Sequence, residues 1–414
     1  MGSAHAGRRS VGFWSIGCVL ALVVVAASGF LGSGPAVAVR SAGHWVYNET
    51  LGAVVHVNGA AKNADAQAPV PGANPANQVA QDDKHGYVIG RRNGKLIVFG
   101  KSSLQVESTL PLGTTEDPVV VESLGATYLV FPSGGRIVRL GTKLAVITSG
   151  GGALASPVAV SDGTVWVRRG GSGGERLCRV QRGSDTMSCP VRVPSGHRGT
   201  LTVVDDRPAF VDQTVATIAL VSPSGLGQSV PMGASVQAVS DGQVAGADAG
   251  GRLAVVTQAG SGRSASLVLV DASTVGSRGQ AAPPITVSLG SDLFDPPMTA
   301  GGAVVLVDRT ANKVITYDNH GVRKASVAGP HGGVMHASRG QDGRVYVDGS
   351  GGKTTLVVDG DGTVTPVTND NGQGKGKPGA PGTTPPAATN GPGTTPTEPP
   401  VSGGTPAVPL PSPP

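Results

Sequence analysis

One layout of apolar and polar positions recurs along most of the chain: an apolar residue, often aromatic, opens a short alternating run, a gap ends in glycine or asparagine, and a second alternating run follows. Tyr87 begins YVIGRRNGKLIVF, Trp45 begins WVYNETLGAVVHV and Tyr128 begins YLVFPSGGRIVRL, with Gly94, Gly52 and Gly135 each seven residues on. Val305 begins VLVDRTANKVITY, where Asn312 takes the glycine position because asparagine also tolerates the left-handed backbone. Trp166, Phe210 and Tyr346 open looser copies with longer or shorter loops. Val244 opens VAGADAGGRLAVV with Gly251 at the same offset, yet SLVLVDASTVG after it reads as another third strand, so the boundary inside residues 234–290 stays ambiguous. Alternation with period two, broken by glycine, predicts hairpins of half-buried strands.

Each copy also has an upstream strand ending in a turn. PVAVSDGTVWV from Pro157 reads as strand, Ser-Asp-Gly turn, strand; AVSDGQV from Ala238 repeats it, and ASRGQDGRVYV from Ala337 stretches it. STLPLG at Ser108 and ITVSLG at Ile285 read as fourth strands. Four short strands in about 40 residues is a propeller blade, which cannot bury both faces alone and stacks on its neighbours around a central channel. The expected fold is all-β, a β-propeller of seven or eight four-stranded blades over residues 44–369. Constant spacing argues against an irregular solenoid, and the lack of Cys-Trp-Cys spacing argues against an immunoglobulin-type array.

Composition agrees with short strands. Glycine supplies 65 of 414 residues and aromatics only 3%, so Val, Leu, Ala and Ile must fill the core. The net charge of +5 includes Arg8, Arg9 and Arg40, and no dense basic run is interleaved with aromatics, which argues against nucleic acid as a partner.

The two ends read differently from the repeats. Residues 1–10 form a basic n-region, and residues 11–31 run for 21 positions without a charge, enough to cross a bilayer as a helix with the bulk of the chain outside. Ala36-Val37-Ala38 has the small-x-small form of a signal-peptidase site, with Ala38 the cleavage candidate, so this segment is either a retained anchor or a removed signal peptide. Residues 32–43 link it to the repeats. Residues 370–414 are rich in Pro, Gly and Thr, have almost nothing to bury, and are expected to be a disordered tail. Export makes a disulfide possible: Cys178 and Cys189 are equidistant from Gly183-Ser184, so a two-residue type II′ hairpin turn there pairs them across the ladder.

The SDGTVWV unit at Ser161 and the YVIGRRNGKLIVF hairpin at Tyr87 resemble blades of bacterial propellers of the quinoprotein-like and surface-layer repeat type. The layout of N-terminal anchor, Val/Gly-rich propeller starting at HWVYN and Thr/Pro linker resembles actinobacterial envelope proteins in which a fibronectin type III module follows the linker. Here the sequence stops within the Pro-rich segment without that module, so none of its roles is carried over.

Candidate chemistry is thin. His320, His331 and His336 lie in glycine-rich loops without further ligands nearby, which favours solvated histidines over a metal site. Asp359-Gly360-Asp361-Gly362 and Asn369-Asp370-Asn371-Gly372 lack the later bidentate Glu of a calcium loop and suit turns. Neither a P-loop nor a nucleophile elbow stands out. Loops between second and third strands should share one face, and they hold Arg91, Arg92, Arg168, Arg169 and Arg309 beside Glu49, Asp212, Asp248, Asp308 and Asp348. Paired arginines grip phosphate or carboxylate through their fork geometry. The expected function is a non-enzymatic extracytoplasmic binding or assembly platform of the cell envelope, with no catalytic set, metal or cofactor. Its partners would be the membrane through residues 11–31 and an envelope protein or anionic wall polymer. The alternative is an extracytoplasmic propeller enzyme of lyase or quinone-dependent dehydrogenase type.

Overall fold

The computed structural model describes residues 42–73, 78–90, 93–148, 150–171, 173–233, 243–257, 265–277, 279–330 and 334–369. The apolar run 11–31, Ala38, Arg91, Arg92, the SDG turn near Ala238, His331 and the Pro-rich segment 370–414 lie outside them. Among the described residues no helix is long and apolar enough to cross a membrane.

Among the described residues thirty-one strands form eight antiparallel sheets in chain order. Blades two, three, four, seven and eight, over residues 78–111, 119–148, 154–192, 298–328 and 336–368, have four strands each. Blade five, 199–231, places two short strands, Gly225–Leu226 and Val230–Pro231, beside the same third strand. Blade one, 44–69, and blade six, 252–288, have three named strands.

The ring forms because the second strand of each blade is apolar on both faces. In blade one, Trp45 and Val54 pack on Val88 and Phe99 of blade two. Val46 and Val55, pointing the other way, pack on Tyr346 and Val357 of blade eight. Tyr87 and Ile89 then meet Leu129 and Phe131, and Tyr128 and Val130 meet Val165 and Val167. Burying each such side chain stabilises the stack by about 1.5–3 kcal/mol. Outer strands such as Val106–Pro111 and Arg323–Ala328 alternate between exposed and half-buried positions, as a one-sided edge should.

The second and third strands are joined by turns that explain the repeat's punctuation. Gly94, at φ 61°, and Asn312, at φ 50°, occupy the same left-handed position, so asparagine does replace glycine in blade seven. Residues at the end of the second strand hold these turns: Asn48 Oδ1 accepts from Leu51 N, Asp212 Oδ1 from Thr214 N, and Asp308 Oδ1 from Ala311 N.

Two local expectations are corrected. In blade six the segment from Val244 is the first strand position, not the second: Val244 bridges Val255 and Ala249 bridges Arg252. Gly250 and Gly251 both have positive φ and fold 248–251 into a tight turn, so Arg252–Thr257 is second and Ser266–Asp271 third. Asp248 therefore sits on a turn between first and second strands, away from the face assigned to it. In blade four the cysteine hairpin has a longer loop than two residues. Ser184 N bonds Gln181 O, placing Gly183, at φ 74°, third in that turn, and a bulge after Leu177 brings Cys178 opposite Cys189. The disulfide itself is present.

Among the described residues no ladder joins blade eight to blade one; each sheet is built from its own stretch of chain. Side chains and loop backbones close the ring instead. Lys62 Nζ lies 2.6 Å from Asp359, Asn48 Nδ2 donates to Asn369 O at 3.2 Å, and Glu49 N donates to Gly351 O.

Candidate functional site

A connected set of polar side chains lies at this seam, where blades one, two, three and eight meet. His44, only 8% exposed, starts strand His44–Asn48, which takes the second-strand position in three-stranded blade one, and reaches across to blade eight. Its Nε2 is 2.6 Å from Asp348 Oδ2, its ring stacks on Tyr346 at 5.0 Å, and its Nδ1 is 3.4 Å from Ser338 Oγ. Asp348 also accepts from Thr355 Oγ1 at 2.6 Å. The Tyr346 hydroxyl donates to Asp342, which pairs with Arg344, and Arg344 shares Asp359 with Lys62.

Gln81 in the first strand of blade two is the hub. Its Nε2 donates to Gly43 O at 2.7 Å, its Oε1 accepts from Lys101 Nζ at 2.9 Å, and its backbone N–H donates to Glu122 Oε1 at 3.0 Å. Its carbonyl accepts from Thr127 Oγ1 of blade three. Lys101, 3% exposed, also donates to Asp82 O, and the Tyr87 hydroxyl donates to Asp82 Oδ2.

This crowding shifts protonation. Burial pushes the Glu122 carboxyl up to about 7, against the opposing pull of the Gln81 N–H, His44 and Lys101. Burial depresses His44, but the Asp348 carboxylate, with Glu122 and Asp342 behind it, outweighs that and raises the imidazole above its ordinary value. Burial lowers Lys101 despite Glu122, Asp82 and Asp83. Chemically the seam is a set of titratable groups, displaced from their ordinary values, that bond to one another across blade boundaries.

The arginines singled out from sequence do not converge on it. Arg168 and Arg169 are the last two residues of strand Val165–Arg169 and not loop residues; Arg168 pairs with Glu175 at 2.8 Å on one side of the sheet. Arg169 Nη1 approaches Cys189 Sγ at 3.8 Å on the other. Arg309 pairs with Asp295 at 2.6 Å in blade seven. Asp359 and Asp361 serve as turn and ion-pair residues, Asp361 accepting from Thr363, and among the described residues no group of three His, Cys, Asp or Glu could hold a metal ion.

No family model matches the chain, and no curated protein matches it. Solved structures similar to it include a streptogramin B lyase at 13% identity, covering 67% of this chain and 92% of that one with a TM-score of 0.48. Apo AztD from Citrobacter koseri is 13% identical over 80% of this chain and 94% of its own, at a TM-score of 0.46. The dihydro-heme d1 dehydrogenase NirN in complex with DHE is 11% identical over 80% and 74%, at 0.48. At that likeness none of them carries its chemistry to this chain.

His44, Gln81, Lys101 and Glu122 escaped the sequence reading. The available signal was a charge set inside or against an apolar run, Glu122 in PVVVES and Lys101 after KLIVFG.

Proposed function

We propose that the chain is a non-enzymatic binding or assembly platform of the cell envelope, working outside the cytoplasm and tethered through residues 11–31 or released by cleavage at Ala38. The observation that carries the reading is the commitment of the displaced titratable groups: His44, Lys101 and Glu122 each bond to a neighbouring strand or blade, whereas an acid–base catalyst must reach a substrate atom. The Cys178–Cys189 bond supports an oxidising compartment. Partners of this platform are an envelope protein or an anionic wall polymer.

The test is photo-crosslinking in native membranes, with the crosslinker placed in turn at Thr310, on the turn after Asp308, and at Ser184 on the opposite side of the ring. A reproducible partner captured from one side, and still captured by Glu122→Gln, is the expected result. A second reading, an extracytoplasmic enzyme of lyase or quinone-dependent dehydrogenase type, draws on the Glu122 carboxyl held near neutrality beside His44. It requires turnover lost in Glu122→Gln while the fold survives, and that outcome would replace the platform.

A further inference from the structure

Blade four has an unusual charge balance. Residues 154–192 hold Arg168, Arg169, Arg176, Arg179, Arg182 and Arg192 against only Asp162, Glu175 and Asp185. Three of these arginines stand in one row across the sheet, Arg169 opposite Arg176 and Arg176 opposite Arg192. Directly opposed residues have Cβ atoms about 4.5–5.5 Å apart, and like charges there are destabilising.

The blade's own carboxylates do not relieve Arg176 or Arg192. Glu175 bonds Arg168, Asp185 pairs with Arg139 of blade three, and Asp162 Oδ1 accepts from Thr164 N in its own turn. Among the described residues neither Arg176 nor Arg192 has a carboxylate within ion-pair distance; Arg176 donates only to the Cys189 carbonyl at 3.3 Å. The disulfide lies on the same side of the sheet and ties together the two strands that carry Arg176 and Arg192, which holds the guanidiniums in register against their repulsion. Leu154 stands opposite Arg169 at the inner end of the row, and in the loop that follows Arg169 Gly171, Gly173 and Gly174 face open space.

We propose that the opposed pair Arg176 and Arg192 grips an anionic glycan chain through its phosphate or carboxylate groups. The inference rests on the platform reading and names its ligand class. Neighbouring strands lie about 4.8 Å apart, so the guanidiniums of Arg176 and Arg192 offer two forks at a spacing that suits successive charges on an extended polymer. A single-stranded nucleic acid fits less well, because base binding relies on exposed aromatic faces and none of the large exposed apolar side chains among the described residues is aromatic.

The test uses the full chain and four probes: poly(glycerol phosphate), polygalacturonate, a single-stranded oligonucleotide and inorganic phosphate. Arg176→Gln with Arg192→Gln should weaken binding of one or both glycans at least ~10-fold and reduce the salt slope by about two. Which glycan responds tells phosphate from carboxylate. The control Arg323→Gln with Lys324→Gln, on the outer strand of blade seven, should leave binding unchanged. Equal loss in that control, tighter binding of the oligonucleotide than of either glycan, or no glycan binding would overturn the proposal. Arg192→Gln alone, at an exposed position, covers failure of the double variant to fold, and should still lower affinity. A crosslinked partner captured equally by wild type and the double variant sinks the glycan site and spares the platform; no partner from any position sinks the platform.

Discussion

The seam between blades eight and one and the hairpin of blade four use charge in opposite ways. At the seam, unlike charges meet, buried His44 on Asp348 and half-buried Lys62 and Arg344 on Asp359, and among the described residues no ladder joins the two sheets they hold. In blade four, like charges stand side by side and a covalent bond keeps them there. The first arrangement lowers the free energy of the closed ring, whereas the second raises it and leaves interaction energy for something outside the ring. Charges that satisfy one another are structural; Arg176 and Arg192, with no carboxylate in reach, are the pair proposed to bind.

Substitutions should separate the two arrangements by sign as well as size. Asp348→Ala leaves a largely buried His44 without its counter-ion and should cost about 3–5 kcal/mol in a denaturant titration, since breaking one half of a buried pair strands the other. Replacing Cys178 and Cys189 by serine opens a short loop and should cost up to about 3 kcal/mol, with the midpoint falling and the native ring retained at low denaturant.

A pH titration should produce a smaller, graded change. Glu122 and His44 both hold protons more tightly in the closed ring than in the unfolded chain. The ring therefore binds more protons than the unfolded state, and stability must fall as pH rises. The Glu122 share is complete below the ordinary Glu value of 4.5 and is lost on rising through about 7; the His44 share begins to fall only above 6.5. Melting temperatures measured across pH 5–8 should decline in the wild type and decline less in Glu122→Gln; a rise with pH would contradict the seam's electrostatics. The smallest effect should be Arg176→Gln, which removes like-charge repulsion and should raise stability by about 0.2–1 kcal/mol. A loss of stability there would make the arginine row structural and erase the contrast with the seam.

Much of the ring was legible because its signals are local. Tyr87, Tyr128, Trp166, Phe210 and Tyr346 mark second strands that must be apolar on both faces, and Asn312 marks a backbone conformation that few residues accept. The cysteine pairing could be read from symmetry about a turn even though the turn has another form. Blade six misled because a Gly-Gly turn at 250–251 imitates the glycine offset of the longer loop found elsewhere. The seam was invisible for a different reason: His44 and Asp348 are 304 residues apart, and only ring closure, not strand periodicity, makes them neighbours. Likewise the row Arg169, Arg176 and Arg192 depends on a bulge after Leu177 that shifts the register by one residue, and no composition rule places it.

Because blade eight and blade one share no strand, every junction of the ring but this one is backed by a peptide linker. The molecule is thus built like a split washer. Thermal fraying, mechanical tension or a wedge driven into the central hole will all be answered first at the slit, and amide hydrogens of the sheets flanking it should exchange before those on the far side of the circle.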